Sequence, residues 1–327
     1  WTSPPVTFSP PPLYESSPRP TGLAMRHLAV SLLLTVTSLA GAGAQSNGNA
    51  PLVLELPAST RALGLGGVFV LSGTTSEAVL HNPGLINAAR GFGVDVQRYR
   101  SSGTLGTVSA ATALGSGGLA VGVQVLSFAM PGATVDNVPF DARALLQSGP
   151  VAASEIVGTL GYGRVIKGFR VGVAAKVLEQ RIGSNRDATA AFDIGMVRRV
   201  FGITWGIAAQ NLGPGLGTGG PDVPLPHRVT LAAATSTRPV GPLDLLAIAA
   251  VSRRRDGEFI PAGGIEISWW PIIGRTFTGR IGLRRVPDDG TSPVTFGAAF
   301  TADNFTIEYA LEQFDGPGAA HRFGLRW

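Results

Sequence analysis

The chain is predicted to be all-β: a transmembrane up-and-down antiparallel β-barrel of about fourteen strands with a short, partly helical N-terminal plug. Three observations predict it. From Gly91 to the terminal Trp327, apolar and polar residues alternate in segment after segment. The segments run to about ten residues or more, beyond the usual soluble strand and suited to a tilted membrane strand. Their connections alternate between tight turns and longer loops, the asymmetry of barrels with short periplasmic turns and long external loops.

Composition agrees. Of 327 residues, 14% are charged, 44% are hydrophobic and 45 are glycine, whereas soluble domains average nearer a quarter charged. Aromatic residues make up only 7%, so the aromatic girdles should be thin. Cysteine is absent. That excludes disulfides, thiolate metal sites, a catalytic thiol and a lipidated cysteine anchor. The net charge is +5, but the basic residues are scattered. Arg253-Arg254-Arg255 is the one tight run and reads as a solvated strand end, so nucleic acid is not an expected partner.

The N-terminus reads as an address. Residues 1–24 are rich in Pro and Ser without periodicity, as in a disordered or mis-joined upstream segment. Met25-Arg26-His27 forms a short basic region, Leu28 to Leu39 is apolar, and Ala42-Gly43-Ala44 supplies a small-residue cleavage site. Residues 25–44 are therefore expected to be a signal peptide, since the apolar stretch falls short of the ~20 residues of a bilayer span. Residues 45–90 are expected to form the plug or hatch, and residues 91–327 the barrel.

Gly, Pro, Asn and Asp punctuation places strands near 91–100, 103–114, 117–129, 153–165, 168–181, 187–200, 202–212, 226–238, 242–254, 258–270, 274–286, 292–302, 304–314 and 318–327. Tight turns are expected at Gly115–Ser116, Lys167, Phe201, Pro239–Gly241, Pro271–Ile273 and Asp303. The long loops are Met130–Ala152 and Gly213–Leu225, both assigned to the external face. In the last strand Phe323, Leu325 and Trp327 share a face opposite Arg322 and Arg326. That ending is expected to serve as the C-terminal assembly signal read by the barrel-assembly machinery.

The mature start, Thr60-Arg61-Ala62-Leu63-Gly64-Leu65-Gly66-Gly67-Val68-Phe69-Val70, resembles the opening of the PorV/PorQ family, which is FadL-like. Ala78-Val79-Leu80-His81-Asn82-Pro83-Gly84-Leu85 resembles the second half of that family's hatch. Asn211-Leu212-Gly213-Pro214 with Pro224-Leu225-Pro226 resembles its loop before a strand, and His321-Arg322-Phe323 resembles its close. The acidic residues that usually follow the first motif are replaced here by Ser72-Gly73-Thr74-Thr75-Ser76-Glu77. The resemblance implies a plug motif of Arg61, Gly64, Gly66, Gly67, Asn82 and Pro83. Gly64, Gly66 and Gly67 permit close backbone approach, and Asn82-Pro83 reads as a helix start.

No enzymatic constellation is present. His27, His81, His227 and His321 fall in no metal-ligand spacing, no GxSxG elbow occurs, and the Gly213–Gly220 run lacks the Gly-Lys-Ser/Thr of a phosphate loop. Neither enzyme activity nor any cofactor or metal is expected, and Gly213–Gly220 reads as a mobile external loop. Lys176, Arg280, Arg284, Glu308, Glu312, Arg322 and Arg326 should point into the lumen, because Arg or Lys on the lipid face costs ~2–4 kcal/mol at mid-bilayer. They read as ion pairs bracing adjacent strands, or as a polar permeation path. Three functions are open: a FadL-like channel for small or hydrophobic solutes, a type IX secretion-associated barrel receiving exported cargo, and a structural or adhesive barrel. The expected location is the bacterial outer membrane. Expected partners are its lipid, the assembly machinery, and either secreted cargo or hydrophobic small molecules.

Overall fold

The computed structural model describes residues 51–68, 71, 74–99, 103–130, 151–183, 185–217, 223–286, 291–314 and 318–327. The expected signal peptide, most of the Met130–Ala152 loop, and Phe69-Val70 lie outside them. The strands are β1 (Gly91–Arg98), β2 (Thr104–Leu114), β3 (Gly117–Met130), β4 (Val151–Ile166), β5 (Phe169–Ile182), β6 (Asn185–Val200), β7 (Ile203–Leu212) and β8 (Arg228–Thr235). There follow β9 (Arg238–Val240), β10 (Leu243–Arg254), β11 (Phe259–Ile272), β12 (Arg275–Arg284), β13 (Thr291–Ala302), β14 (Phe305–Phe314) and β15 (Gly318–Arg326). β8 and β9 both pair with β10 across one short break, so they form a single stave and the barrel has 14.

Every stave is antiparallel to its neighbour in sequence, and β15 pairs with β1 to close the sheet. The Phe92 N–H donates to the Trp327 carbonyl at 2.7 Å and the Trp327 N–H returns the bond at 2.9 Å. Closure leaves no open edge in the membrane, where unpaired backbone groups would be costly.

The tight turns fall at one end. Lys167-Gly168 and Phe201-Gly202 each have positive φ at both residues, the geometry of two-residue hairpins whose twist matches that of the strands. Two turn positions differ from expectation. Pro239 lies in β9 opposite Asp244, and the turn falls on Gly241-Pro242. Pro271 lies in β11 at a register shift between Trp269 and Ile272, and the turn falls on Ile273-Gly274. Proline lacks an N–H for the ladder but is tolerated in short or irregular stretches, so Pro239 sits within the three-residue β9 and Pro271 marks a bulge.

The outer surface is apolar. On β12, Phe277, Ile281 and Leu283 are 47%, 56% and 60% exposed while Arg280 between them is buried. In water a belt of this kind around the whole sheet would aggregate; in lipid it is required.

The inner surface is graded along the barrel. From the tight-turn end, β3 turns inward Gly118, Ala120, Gly122, Gln124, Leu126 and Phe128. β5 repeats the order with Gly172, Ala174, Lys176, Leu178, Gln180 and Ile182, as does β4 with Gly163, Gly161, Thr159, Val157, Glu155 and Ala153. Small residues therefore line the base, polar groups the middle, and large apolar groups dominate the loop end.

The small residues receive the plug. Gly118, Gly163, Gly172 and Gly195 lie directly across from one another on β3, β4, β5 and β6. Against this row packs a 3-10 turn, Pro83–Ala88. A Cβ added at any of the four would collide with Asn82, Pro83 or Ile86. On the opposite wall Gly264, Gly282 and Gly297 receive Leu65, Gly66 and Gly64 in the same way. The replacement Gly172→Val should expel the Pro83–Ala88 turn while leaving the outer ladder intact. The expected result is heat-modifiable gel migration as in wild type, with protease cleavage newly admitted between residues 70 and 90. Unchanged protease resistance would refute the seating described here.

Candidate functional site

The lumen holds the described residues between 51 and 90 as a folded plug. Its first helix, α1 (Thr60–Gly64), starts at Ser59, whose Oγ accepts from the Ala62 N–H at 3.2 Å. A serine at this position satisfies one of the donors that a helix start leaves open. Gly66 and Gly67, both at positive φ, then turn the chain away, and the Gly66 N–H donates to Thr295 Oγ1 at 3.0 Å. The second helix, α2 (Ala78–His81), runs into Asn82. Asn82 Oδ1 accepts from the Gly84 N–H at 2.9 Å and caps the Pro83–Ala88 turn, with proline at its first position.

A belt of alternating charge fastens the plug to the wall. Arg61 donates through Nε and Nη2 to both carboxylate oxygens of Glu266, each at 3.0 Å. Glu266 also accepts from Arg280 at 2.8 Å, and Arg280 meets Glu308 at 2.9 Å. Arg326 joins Glu308 at 3.2 Å, Asp95 at 2.8 Å and the plug's Glu77 at 3.0 Å. Asp95 in turn accepts from the Thr60 N–H at 2.8 Å and Thr60 Oγ1 at 2.5 Å. Arg322, fully buried, donates to the plug carbonyls of Pro57 and Ala58 at 2.5 and 2.6 Å. Four guanidiniums (Arg61, Arg280, Arg322, Arg326) thus face four carboxylates (Glu77, Asp95, Glu266, Glu308), and the belt is neutral.

Of the seven lumen charges expected, Arg280, Glu308, Arg322 and Arg326 meet in this belt. Arg284 pairs with Glu312 one layer higher, where Glu312 also accepts from Gln97 at 3.3 Å. Lys176 stands apart and binds Asp193 and Asn211 Oδ1, each at 2.8 Å. Asp95, Glu77 and Glu266 were not singled out in the sequence. Asp95 and Glu266 carry the same signal as the others, a charge alternating with apolar residues within a strand.

The Gly213–Leu225 loop differs from expectation in its described parts. Leu216 and Leu225 are fully buried, and the Leu216 and Val223 backbones exchange hydrogen bonds of 2.8 and 2.6 Å. The loop tucks inward because its base is held: the Asn211 N–H donates to Asp193 at 2.7 Å and Asn211 Nδ2 to the Pro226 carbonyl at 3.0 Å. Thr218, Gly219 and Gly220 lie outside the described residues.

Beneath that loop lies an apolar chamber filled by packed side chains. Leu105, Leu126, Phe128, Val157, Leu178 and Phe314 project into it from the wall. Leu216 and Leu225 enter from the loop, and Leu52, Val53 and Leu54, a 3-10 turn at the start of the plug, enter from below. Two polar groups face this apolar lining. The Glu155 carboxylate accepts from the Val53 N–H at 2.7 Å and Gln180 at 2.9 Å. The Tyr99 side chain is 1% exposed, and its hydroxyl makes no hydrogen bond among the described residues.

His81 accounts for the remaining buried imidazole. Its Nε2 lies 3.1 Å from Ser59 Oγ. Burial, with Arg228 and Arg322 nearby, pushes its pKa from 6.5 down to about 3, so the ring is neutral at physiological pH. Phe323, Leu325 and Trp327 face outward from β15 and are exposed, with Arg322 and Arg326 inward. Among the described residues no group of three or more His, Asp or Glu side chains could hold a metal ion.

No family model matches the chain, and no curated protein sequence matches it. Solved structures do. The TodX deltaS2S3 mutant monoaromatic hydrocarbon channel has a TM-score of 0.56 at 10% identity, over 82% of this chain and 97% of that one. A Pseudomonas aeruginosa FadL homologue has a TM-score of 0.53 at 10% identity, over 85% and 98%. The TodX monoaromatic hydrocarbon channel deltaS2 mutant has a TM-score of 0.51 at 10% identity, over 84% and 98%. The chain has a FadL-like barrel fold.

Two outcomes follow from the belt. Asp95→Asn removes a carboxylate shared by Thr60 and Arg326, and breaking a buried pair costs about 3–5 kcal/mol. Plug segment 57–67 should become protease-sensitive at denaturant concentrations the wild type resists. For His81 the docked pKa lies below that of a solvated ring, so the undocked plug takes up the proton first. Its contribution to docking is complete above pH 6.5 and declines as pH falls towards about 3. Plug protection measured across that window should fall in wild type and fall less in His81→Asn.

Proposed function

We propose that this protein is a bacterial outer-membrane channel for small or hydrophobic solutes, working as a FadL-like barrel with its lumen plugged at the base. The observation that carries this is the apolar chamber. Barrel lumens are commonly polar, yet here six large apolar side chains from the wall converge beneath the buried loop. Such a lining withdraws a hydrophobic solute from water at ~25 cal/mol per Å² of apolar surface. The similar solved structures include proteins described as monoaromatic hydrocarbon channels, which supports the same reading.

The charged belt below the chamber favours no particular ion. Its cations and anions are paired with one another, and the groups hold the plug rather than line an open path. A solute leaving the chamber must therefore pass the plug, and the Leu52–Leu54 turn is the part of it that occupies the chamber.

Transport is tested with purified protein in liposomes, using labelled long-chain fatty acid and toluene as probes. Uptake above protein-free vesicles is expected for at least one of them. The double replacement Leu126→Asp, Leu178→Asp should reduce it about tenfold or more, since each places a charge in an apolar lining. Deleting residues 51–90 should raise ion conductance in planar bilayers. No uptake of either probe together with no conductance in the deletion variant would overturn the channel. In that case the PorV/PorQ-type hatch motif would direct attention to secreted cargo instead.

A further inference from the structure

The outer surface at the tight-turn end carries cations without carboxylate partners. Arg164 on β4, Lys167 in the following turn, Arg198 and Arg199 on β6, Arg238 on β9 and Arg275 on β12 are all exposed. Among the described residues none is ion-paired to a carboxylate. Arg198 lies 4.3 Å over the Phe169 ring, and Arg199 donates to Ser236 Oγ at 2.7 Å. Among the described residues Asp303 is the one exposed side-chain carboxylate at this end, and Asp244 is half-buried on the inward side of β10. The loop end is mixed: Arg186, Arg254 and Arg285 pair there with Glu179, Glu55 and Glu258 at 2.6, 2.9 and 3.1 Å, while Arg98, Arg181 and Arg255 are exposed there with no carboxylate partner among the described residues.

Three of the cations on β4–β9 face the membrane rather than the lumen, and Arg275 on β12 likewise shares the outward face of Phe277. Arg164 shares the face of Leu160, Arg198 that of Ile194, and Arg238 that of Val240, each of which is about half exposed on the lipid side. Arg198 stands opposite Trp205 and Arg238 opposite Leu245. The four tryptophans beyond Trp1 all lie at this end: Trp205, Trp269, Trp270 and Trp327. Turn residues Phe201 and Ile273 are 88% and 97% exposed. Tryptophan belts sit at headgroup depth, and basic side chains at the same depth attract anionic lipid.

We propose that this rim is a binding surface for anionic phospholipid, with Arg164, Arg198 and Arg238 taking the phosphates of lipids whose chains lie along β4–β9. The three like charges stand on alternate staves, roughly 10 Å apart at ~4.8 Å per strand and so within about a Debye length of one another; bound phosphate relieves their repulsion, which a zwitterionic headgroup does less well. The alternation of cations with lipid-facing apolar groups favours lipid over a soluble acidic partner. The proposal rests on the barrel spanning a bilayer, and the test separates the two.

The mature full-length protein is reconstituted into phosphatidylcholine vesicles containing brominated phosphatidylcholine or brominated phosphatidylglycerol. Tryptophan quenching then reports lipid contact at this rim alone. Wild type should favour phosphatidylglycerol about fivefold at low salt, the preference shrinking as salt screens it. Arg164→Gln, Arg198→Gln and Arg238→Gln together should bring the ratio towards one. Arg181→Gln at the loop end should leave it unchanged, with heat-modifiable migration reporting that each variant is folded. Equal quenching by the two lipids in wild type, or a preference that survives the triple replacement, would overturn the proposal. Absence of quenching by either lipid would instead overturn the membrane-spanning barrel.

Discussion

A closed wall of fourteen staves encloses more space than its inward side chains can occupy, and the rest of the molecule answers that constraint. The lumen must be filled by chain, and the chain that fills it must be held there. Residues 51–90 do the filling. The neutral belt from Arg61 through Glu266, Arg280, Glu308 and Arg326 to Asp95 does the holding. Charge suits this task because each guanidinium can serve two carboxylates or carbonyls at once, with geometry that fixes the plug's position as well as its presence. A greasy plug in a greasy lumen would have no such registry.

Glycine makes the complementary contribution. The belt pulls the plug to the wall, and the glycine row across β3–β6 lets backbone lie against backbone there. The grading of the inner wall follows. Where the plug's backbone touches, residues are small; where its side chains reach, the wall is polar; above the plug, where only Leu52–Leu54 arrive, the wall is apolar.

The barrel itself was legible from alternation, because a strand with lipid on one face must show period two. Strand positions followed within a few residues. The turns misplaced onto Pro239 and Pro271 show where that legibility stops: proline marks irregular backbone, and only register distinguishes a bulge from a turn. The inward direction of Arg280, Glu308, Arg322 and Arg326 was readable from the cost of charge in lipid. Their partners were not, since Arg61 and Glu266 stand 205 residues apart and nothing local links them. The glycine row has the same character. Gly118, Gly163, Gly172 and Gly195 look like unrelated strand glycines until pairing brings them side by side. The inward tuck of the described parts of the Gly213–Leu225 loop was not legible, since glycine-rich composition carries no such signal and the two buried leucines, Leu216 and Leu225, lie nine residues apart in sequence.

The strength of the plug's attachment is uneven along its length, and that bears on how a solute could pass. Residues 57–67 are bound by the Arg61–Glu266 pair, by Thr60 on Asp95 and by the buried Arg322 on the Pro57 and Ala58 carbonyls; breaking a buried pair costs about 3–5 kcal/mol. The Leu52–Leu54 turn is bound differently. Its charged neighbour Glu55 pairs with Arg254 where both side chains are about a third exposed, and such pairs contribute about 0–1 kcal/mol. Its other tether is the Glu155 carboxyl, which accepts from the Val53 N–H at 2.7 Å; a hydrogen bond of this kind contributes about 0.5–3 kcal/mol. The rest of its hold is apolar contact with the chamber, and an apolar solute can replace that contact side chain for side chain. In the channel proposed above, displacement would begin at Leu52–Leu54, with the belt below still closed. A hydrophobic solute would there replace the contacts that hold the turn, and a polar solute has no means of doing so.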